Sequence, residues 1–250
     1  MLEASRIPAP IVKAMKDRGY EKLTPVQEEV SKESYSGLDL LVSAQTGSGK
    51  TIAFGFVIVD NLLENSKSFK IPKSPEALII VPTRELALQV KNELSWLLAS
   101  SEAKIVSCVG GMDIRTERRN LETKPNIVVG TPGRLRDHIE RDYFNVSNIK
   151  TVVLDEADEM LDMGFREDLE AILDTTPKES IIPTYGGRWV IVLKIGTKTI
   201  IPSPMKSIFV PCLLIFSSSS TCSILPLKTG RNIASRVGIT IQINDGISNC

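Results

Sequence analysis

The chain has 250 residues, 42% of them hydrophobic, which allows one large domain or two small ones with a real core. Its 30 basic and 30 acidic side chains cancel, so bulk charge selects no partner and any contact with nucleic acid must come from local basic and backbone groups. The cancellation hides an asymmetry: residues 1–179 carry a net charge of −6 and residues 180–250 a net charge of +6.

In chain order, residues 9–18 predict an amphipathic helix with Ile11, Val12 and Met15 inward, stopped by Gly19-Tyr20. Thr24-Pro25 caps a second helix running to about Lys32. Asp39 to Ser43 reads as a short buried strand and Ile52 to Leu63 as a mostly apolar helix. Between them lies Ala44-Gln45-Thr46-Gly47-Ser48-Gly49-Lys50-Thr51, which fits the phosphate-binding loop G-x-x-x-x-G-K-[ST] except that Ala44 replaces the first glycine. A strand feeding a glycine turn that opens a helix aims unpaired N–H groups and the helix dipole at one point, where a polyphosphate is favoured. There Lys50 would reach the β- and γ-phosphates and the Thr51 hydroxyl would meet Mg²⁺.

Further strands are expected at 77–81, 104–108, 126–129 and 151–154, with helices near 83–98, 113–121, 132–140 and 165–173. This alternation predicts a doubly wound, mostly parallel sheet. Three short segments follow strands on the rim that holds the phosphate loop. They are Pro82-Thr83-Arg84-Glu85-Leu86-Ala87, Gly110-Gly111 and Thr131-Pro132-Gly133-Arg134. Each alone reads as a turn or helix cap; together on one rim they offer backbone and guanidinium groups to nucleic-acid phosphates. Strand 151–154 ends in Asp155-Glu156-Ala157-Asp158. Asp155 is placed to join a Mg²⁺ shell beside Thr51, and Glu156 to orient or deprotonate an attacking water. Upstream, Gly19 to Gln27 offers Tyr20 to stack on a base and Gln27 to bond adenine; a packed tyrosine and a surface glutamine are the competing readings.

In this order the motifs resemble the first RecA-like domain of the DEAD-box RNA helicases, over about residues 5–179, from the adenine-sensing Q motif at Gly19–Gln27 to the tetrad that names the family. The resemblance implies an α/β fold: a three-layer RecA-like P-loop domain with a mostly parallel sheet, here followed by an irregular tail. It implies ATP and Mg²⁺ at Gln27, Lys50, Thr51, Asp155 and Glu156. It implies RNA backbone contacts from Pro82, Thr83, Arg84, Gly110, Gly111, Thr131, Gly133 and Arg134. In the family Asp158 links the ATP site to a Ser-Ala-Thr motif. The expected activity is ATP-dependent opening of short RNA duplexes by closure of two domains.

The departures are equally informative. Leu23 stands where the family usually has proline, and Leu2 lies near the place of an upstream aromatic. No Ser-Ala-Thr strand follows Thr175 to Glu179, and residues 180–250 do not resemble the second RecA-like domain with its arginine fingers. The chain therefore divides at 179/180 into a helicase-like domain and an unrelated tail, disordered or β-like. The abrupt change in charge, cysteine content and periodicity motivates the hypothesis of a frame-shifted continuation, which sequencing the transcript across codons 175–185 would test. Loss of the Ser-Ala-Thr strand would leave a sheet edge that Trp189 to Leu193 could occupy. A non-catalytic half-helicase and a nonfunctional fragment are the alternatives; a P-loop ATPase acting on protein or transport is disfavoured by the Q motif and Pro82–Ala87.

The remaining features carry no site. The N-terminus Met1 to Arg6 has no apolar segment of a secretory signal. The most apolar run, Ile208 to Phe216, is nine residues long and contains Pro211, far short of a membrane span. The cysteines show no metal spacing and suit a reducing cytoplasm as free thiols. His138, the single histidine, is expected on a solvated helix face. Trp96 is expected in the core, and Arg115, Arg118 and Arg119 on a solvated face.

Overall fold

The computed structural model describes residues 7–32, 39–44, 47–63, 68–177, 189–194, 232–234 and 240–244. Gln45 and Thr46 of the glycine-rich loop lie outside the described residues, as do Pro183 to Gly187 and Ser217 to Ser220 of the tail. The strands are β1 (Asp39–Ser43), β2 (Ala77–Ile80), β3 (Ile105–Cys108), β4 (Ile127–Gly130), β5 (Thr151–Asp155), β6 (Trp189–Lys194), β7 (Asn232–Ala234) and β8 (Thr240–Asn244). The helices are α1 (Ala9–Asp17), α2 (Pro25–Val30), α3 (Lys50–Leu63), α4 (Arg84–Leu97), α5 (Ile114–Glu122), α6 (Pro132–Glu140), α7 (Ala157–Asp162) and α8 (Arg166–Thr175).

All eight strands join one sheet in the order β3-β4-β2-β5-β6-β1-β8-β7. From β3 to β1 every pairing is parallel. The last two strands run as an antiparallel hairpin on the outer side of β1. The strands β2, β4 and β5 are buried on both faces, so they read as continuous β-branched and leucine runs. The two-residue alternation sorts those side chains. Leu40, Val42, Ala77, Ile79, Ile127, Val129 and Val153 pack with α1 to α4 on one face. Leu78, Ile80, Val106, Cys108, Val128, Val152 and Leu154 pack with the helices from α5 onward on the other. This is the three-layer α/β arrangement expected from the strand–helix alternation.

Three differences from the sequence reading bear on the site. First, Trp189–Lys194 does not take a sheet edge. It lies inside the sheet, with Leu40↔Ile191 and Ser43↔Lys194 paired on one side and Val153↔Ile191 and Asp155↔Leu193 on the other. The vacancy left by the missing motif is thus internal, and an apolar β-branched segment fills it because both neighbours offer unpaired backbone groups. Second, His138 is fully buried rather than solvated. It shares the apolar stripe of α6 with Leu135, three residues earlier. Third, Trp96 is only half-buried: its ring stacks on Tyr20 at 5.9 Å between centroids, with the Arg18 guanidinium 4.6 Å from the indole.

Candidate functional site

Because the strands from β3 to β1 are parallel, their carboxyl ends and the loops that follow share one rim. On that rim Gly47 and Gly49 both adopt left-handed backbone, at φ +78° and +85°. At Gly49 the absence of a side chain is required twice: by φ, and because a Cβ would lie 2.3 Å from Gln27 Nε2. The Gln27 amide uses that space. Its Nε2 donates to the Gly49 carbonyl at 3.2 Å, and its Oε1 accepts from the Thr24 N–H at 3.0 Å. The Thr24 hydroxyl in turn accepts from the Gln27 N–H, completing a capping box on α2. The glutamine is fully buried, and both ends of its amide serve the loop and the cap. Tyr20, for its part, lies against Trp96.

Lys50 opens α3 and is buried, its Nζ donating to the Ala44 carbonyl at 3.1 Å. The amine is therefore folded back across the loop. Burial pulls its pKa down, and the charges of Asp155, Glu156 and Asp158 act against that pull. The sequence-predicted lysine and acids thus face one another electrostatically. Asp155 closes β5 and is 4% exposed. Burial pushes its carboxyl up from 3.8 to about 6, with Lys50 opposing. Its Oδ1 is buried with no hydrogen-bond partner. Glu156 holds φ +56°, a left-handed conformation unusual for a side-chain-bearing residue, and forms the turn into α7. Burial, a hydrogen bond with Glu159 and the charge of Asp155 raise its carboxyl to about 7. The buried Ser48 hydroxyl oxygen in the loop also has no partner. Thr51, next to Lys50, is half-buried in the first turn of α3, where helical N–H groups have no intrahelical acceptor. Anion-seeking N–H groups and a pair of acids that Lys50 only partly compensates therefore meet at one place.

The second part of the rim follows β2, β3 and β4. Thr83 caps α4, its hydroxyl accepting from the Leu86 N–H at 3.2 Å, with Pro82 buried behind it and Arg84 exposed. Gly110, Gly111 and Gly133 are exposed, and Gly111 is left-handed at φ +76°. A Cβ at Gly111 would come within 2.9 Å of Arg84 Nη1. The Arg84 and Arg134 guanidiniums converge on Met112, one on the thioether at 3.3 Å and the other on the carbonyl at 3.1 Å. Thr131 precedes α6 without a side-chain cap bond. Three segments far apart in sequence therefore form one continuous surface of backbone and guanidinium donors.

Sequence reasoning missed the residues beneath this surface. Glu117 is buried on α5. One carboxylate oxygen accepts from the Val109 N–H at 2.7 Å; the other meets His138 Nε2 at 2.8 Å and Arg134 Nε at 3.4 Å. A signal existed: Glu117 stands four residues before Leu121, on the single apolar stripe of α5. Arg115, Arg118 and Arg119 are exposed, as expected. Cys108 is a buried free thiol whose pKa is raised by burial.

A RecA-like parallel α/β sheet carrying these loops on one rim defines the class of domain. The DEAD/DEAH box helicase family model matches residues 24–185, and the chain belongs to that family. It is similar to the ATP-dependent RNA helicase CshA of Limosilactobacillus reuteri, 46% identical over 169 residues, covering 68% of this chain and 33% of that protein. It is similar also to the DEAD-box ATP-dependent RNA helicase CshA of Bacillus subtilis, 45% identical over 171 residues, again 68% and 33%. A DEAD box protein crystal structure from the hyperthermophile Methanococcus jannaschii superposes with a TM-score of 0.66 at 35% identity, covering 81% of this chain and 51% of that one. The chain thus spans about a third of the length of these curated relatives.

Proposed function

We propose that this domain binds ATP with Mg²⁺ at Gln27, the phosphate loop from Ala44 to Thr51, Asp155 and Glu156, and grips single-stranded RNA along Pro82–Arg84, Gly110-Gly111 and Thr131–Arg134. In an intact helicase it would supply the nucleotide-binding half of an ATP-driven RNA-opening machine. The observation that carries the reading is the electrostatic meeting of buried Lys50 with Asp155 and Glu156 at the end of a glycine turn.

The residues suit a magnesium ion. Asp155 Oδ1 is buried and unpartnered, and the carboxyls of Asp155 and Glu156 are raised chiefly by burial, with Lys50 only partly opposing. Among the described residues no three His, Cys, Asp or Glu side chains form a metal centre. Magnesium needs only one or two protein groups beside substrate phosphates and water, and Thr51 and Asp155 would hold it. When bound, it neutralises charge on the phosphate oxygens. The chain's own groups do the rest. The loop N–H groups and the α3 dipole bind the phosphates. The Lys50 amine, now on Ala44, turns to the terminal phosphate. Glu156, held in its strained turn, orients the attacking water and takes its proton. Tyr20 and Gln27 would border the adenine, with Gln27 also reporting on the loop through Gly49.

Arginine fingers are worth roughly 10³–10⁵ in rate in related phosphoryl transfers. Residues 180–250 contain no recognisable source of them, so these 250 residues by themselves should bind nucleotide and RNA while turning ATP over slowly and unwinding nothing. A cytoplasmic location belongs to the same reading, since ATP, RNA and the buried thiol of Cys108 suit a reducing compartment. No helix among the described residues is long and apolar enough to cross a membrane.

The test is equilibrium binding of a fluorescent ATP analogue to the purified chain, with Mg²⁺ or EDTA, for the native sequence and Lys50→Ala. Saturable, Mg²⁺-dependent binding is expected, weakened about 10–100-fold by the substitution, the worth of a charge-assisted bond to phosphate. Equal affinity in the two proteins would sink the assignment, and brisk RNA-stimulated hydrolysis would overturn the claim of slow turnover.

A further inference from the structure

We propose that Glu117 is a positioning residue of the RNA-facing rim: its buried carboxylate sets both the Gly110-Gly111 loop and the Arg134 guanidinium in the arrangement that receives the phosphate backbone. The inference rests on the reading of that rim given above and adds a residue that does not itself touch ligand. Glu117 is 3% exposed. Its Oε1 holds the amide of Val109, the residue immediately before the glycine pair, at 2.7 Å. Its Oε2 holds Arg134 Nε at 3.4 Å, and the same guanidinium reaches the carbonyl of Met112, the residue immediately after the pair, at 3.1 Å. One carboxylate thus anchors both ends of the glycine loop, one directly and one through Arg134.

His138 completes the arrangement from α6, with Nε2 2.8 Å from Oε2. Its Nδ1 is buried without a hydrogen-bond partner, so the ring's hydrogen bond is the one Nε2 makes with Glu117. A buried carboxylate is tolerated only when paired and hydrogen-bonded; here three donors from β3's exit and α6 meet it. The Asp137 carboxylate lies 3.9 Å from Arg134 Nη1 and is half-exposed, a weaker constraint on the same side chain. What Glu117 fixes is therefore the direction in which the Arg134 charge and the glycine amides point.

The experiment measures binding of a single-stranded oligouridylate to the full chain, with Mg²⁺ and a non-hydrolysable ATP analogue, across a salt series. The proteins are the native sequence, Arg134→Ala, Arg134→Lys, Glu117→Gln and the Glu117→Gln/Arg134→Ala double variant. Arg134→Ala should weaken RNA binding about tenfold and lower the slope of log K against log salt by about 1, as loss of one phosphate contact does. Glu117→Gln keeps volume and can still accept from Val109, but turns an NH₂ toward donors. It should weaken RNA binding several-fold, lower the slope in the same sense, and leave ATP-analogue affinity unchanged. The double variant should bind RNA no worse than Arg134→Ala alone. A Glu117→Gln protein with a lowered melting temperature but native RNA affinity and slope, or additive losses in the double variant, would overturn the proposal and leave a purely structural ion pair. Arg134→Lys keeps the charge but cannot span Glu117 and Met112, so it should resemble Glu117→Gln; native affinity there overturns the proposal even if the Glu117 variants fail to fold. If Arg134→Ala leaves RNA binding untouched, the rim reading fails and this inference falls with it.

Discussion

The two parts of the rim are built on opposite plans. The strands behind the part proposed to face RNA, β2, β3 and β4, pair with one another and with β5, all within residues 77–155. The strand behind the phosphate loop, β1, has as its sheet neighbours β6 and β8, both from the tail. The charges differ in the same way. Glu117 has three donors for its two oxygens. Asp155 keeps one buried oxygen without any. One region has paired its buried carboxylate internally and presents a fixed surface. The other leaves an anion and a set of N–H groups incompletely matched, which costs stability in the free protein and favours a ligand that supplies both a cation and phosphates.

The comparison is tested most severely by ending the chain at Glu179. This removes β6 and β8 and strips β1 of its hydrogen-bonded neighbours. Each buried backbone group left unpaired costs about 1–3 kcal/mol, and two neighbouring strands lose several apiece, against a typical total stability of about 5–15 kcal/mol. Loss of ATP-analogue binding is expected, with far-UV circular dichroism still reporting the helices packed on β2 to β5. Unchanged analogue affinity after the deletion would show that side-chain packing of Leu40 and Val42 alone holds the loop strand.

The next effect concerns pH. Asp155 rises from 3.8 to about 6 on folding because burial penalises its charge. Between those values the folded state holds a proton that the unfolded chain has released, so stability falls as pH rises through this window. The destabilisation is absent below the unfolded value and fully present above about 6; the shift corresponds to about 3 kcal/mol at most. Glu156, raised to about 7 chiefly by burial, extends the same trend upward. In EDTA, the free chain should therefore melt higher at pH 5 than at pH 8. Asp155→Asn should flatten that difference and raise the melting temperature at pH 8, while abolishing the Mg²⁺ dependence of nucleotide binding. An Asn variant less stable than the parent at pH 8 would mean that Asp155 is compensated in the free protein after all.

How much of this was readable beforehand follows from what makes each feature local. The Gly47 and Gly49 turn, the Thr24 cap and the strand-end acids are written within a few residues of themselves, because left-handed backbone and capping hydroxyls limit which residues can serve. Their meeting on one rim followed from strand–helix alternation alone. Three features were not local. Burial of Glu117 and His138 is decided by α5 and α6 packing across β3 and β4. The occupation of both Gln27 amide ends depends on Gly49, twenty-two residues away. The interior position of β6 was hidden because the sequence beyond Glu179 shows no helical period that would announce a crossover.

A smaller effect separates the glycine turn from its neighbours. Gly49→Ala combines a φ of +85° with a Cβ that would stand 2.3 Å from Gln27 Nε2. The strain is on the order of 1–3 kcal/mol, and the Gln27 amide must leave the loop carbonyl. Both stability and analogue affinity should fall, whereas RNA affinity measured without nucleotide should hold, since the part of the rim proposed to face RNA shares none of these bonds. A matching loss of nucleotide-free RNA binding would show the two regions to be mechanically coupled in the free protein.

The smallest expected effect is that of Thr24→Ala. The hydroxyl accepts from the Gln27 N–H at 3.4 Å and so caps α2, while the reciprocal bond, from the Thr24 N–H to Gln27 Oε1, belongs to the backbone and survives the substitution. Half of the capping box goes and half remains. A loss of about 1 kcal/mol is expected, the usual worth of an N-cap hydroxyl, recovered by Thr24→Ser and read by chemical denaturation. Because Gln27 stays anchored through its carbonyl oxygen and through Gly49, analogue affinity should change less than twofold, about 0.4 kcal/mol. A Thr24→Ala protein that binds nucleotide as poorly as Gln27→Ala would show that the cap, and not the Gly49 contact, is what holds the glutamine against the loop.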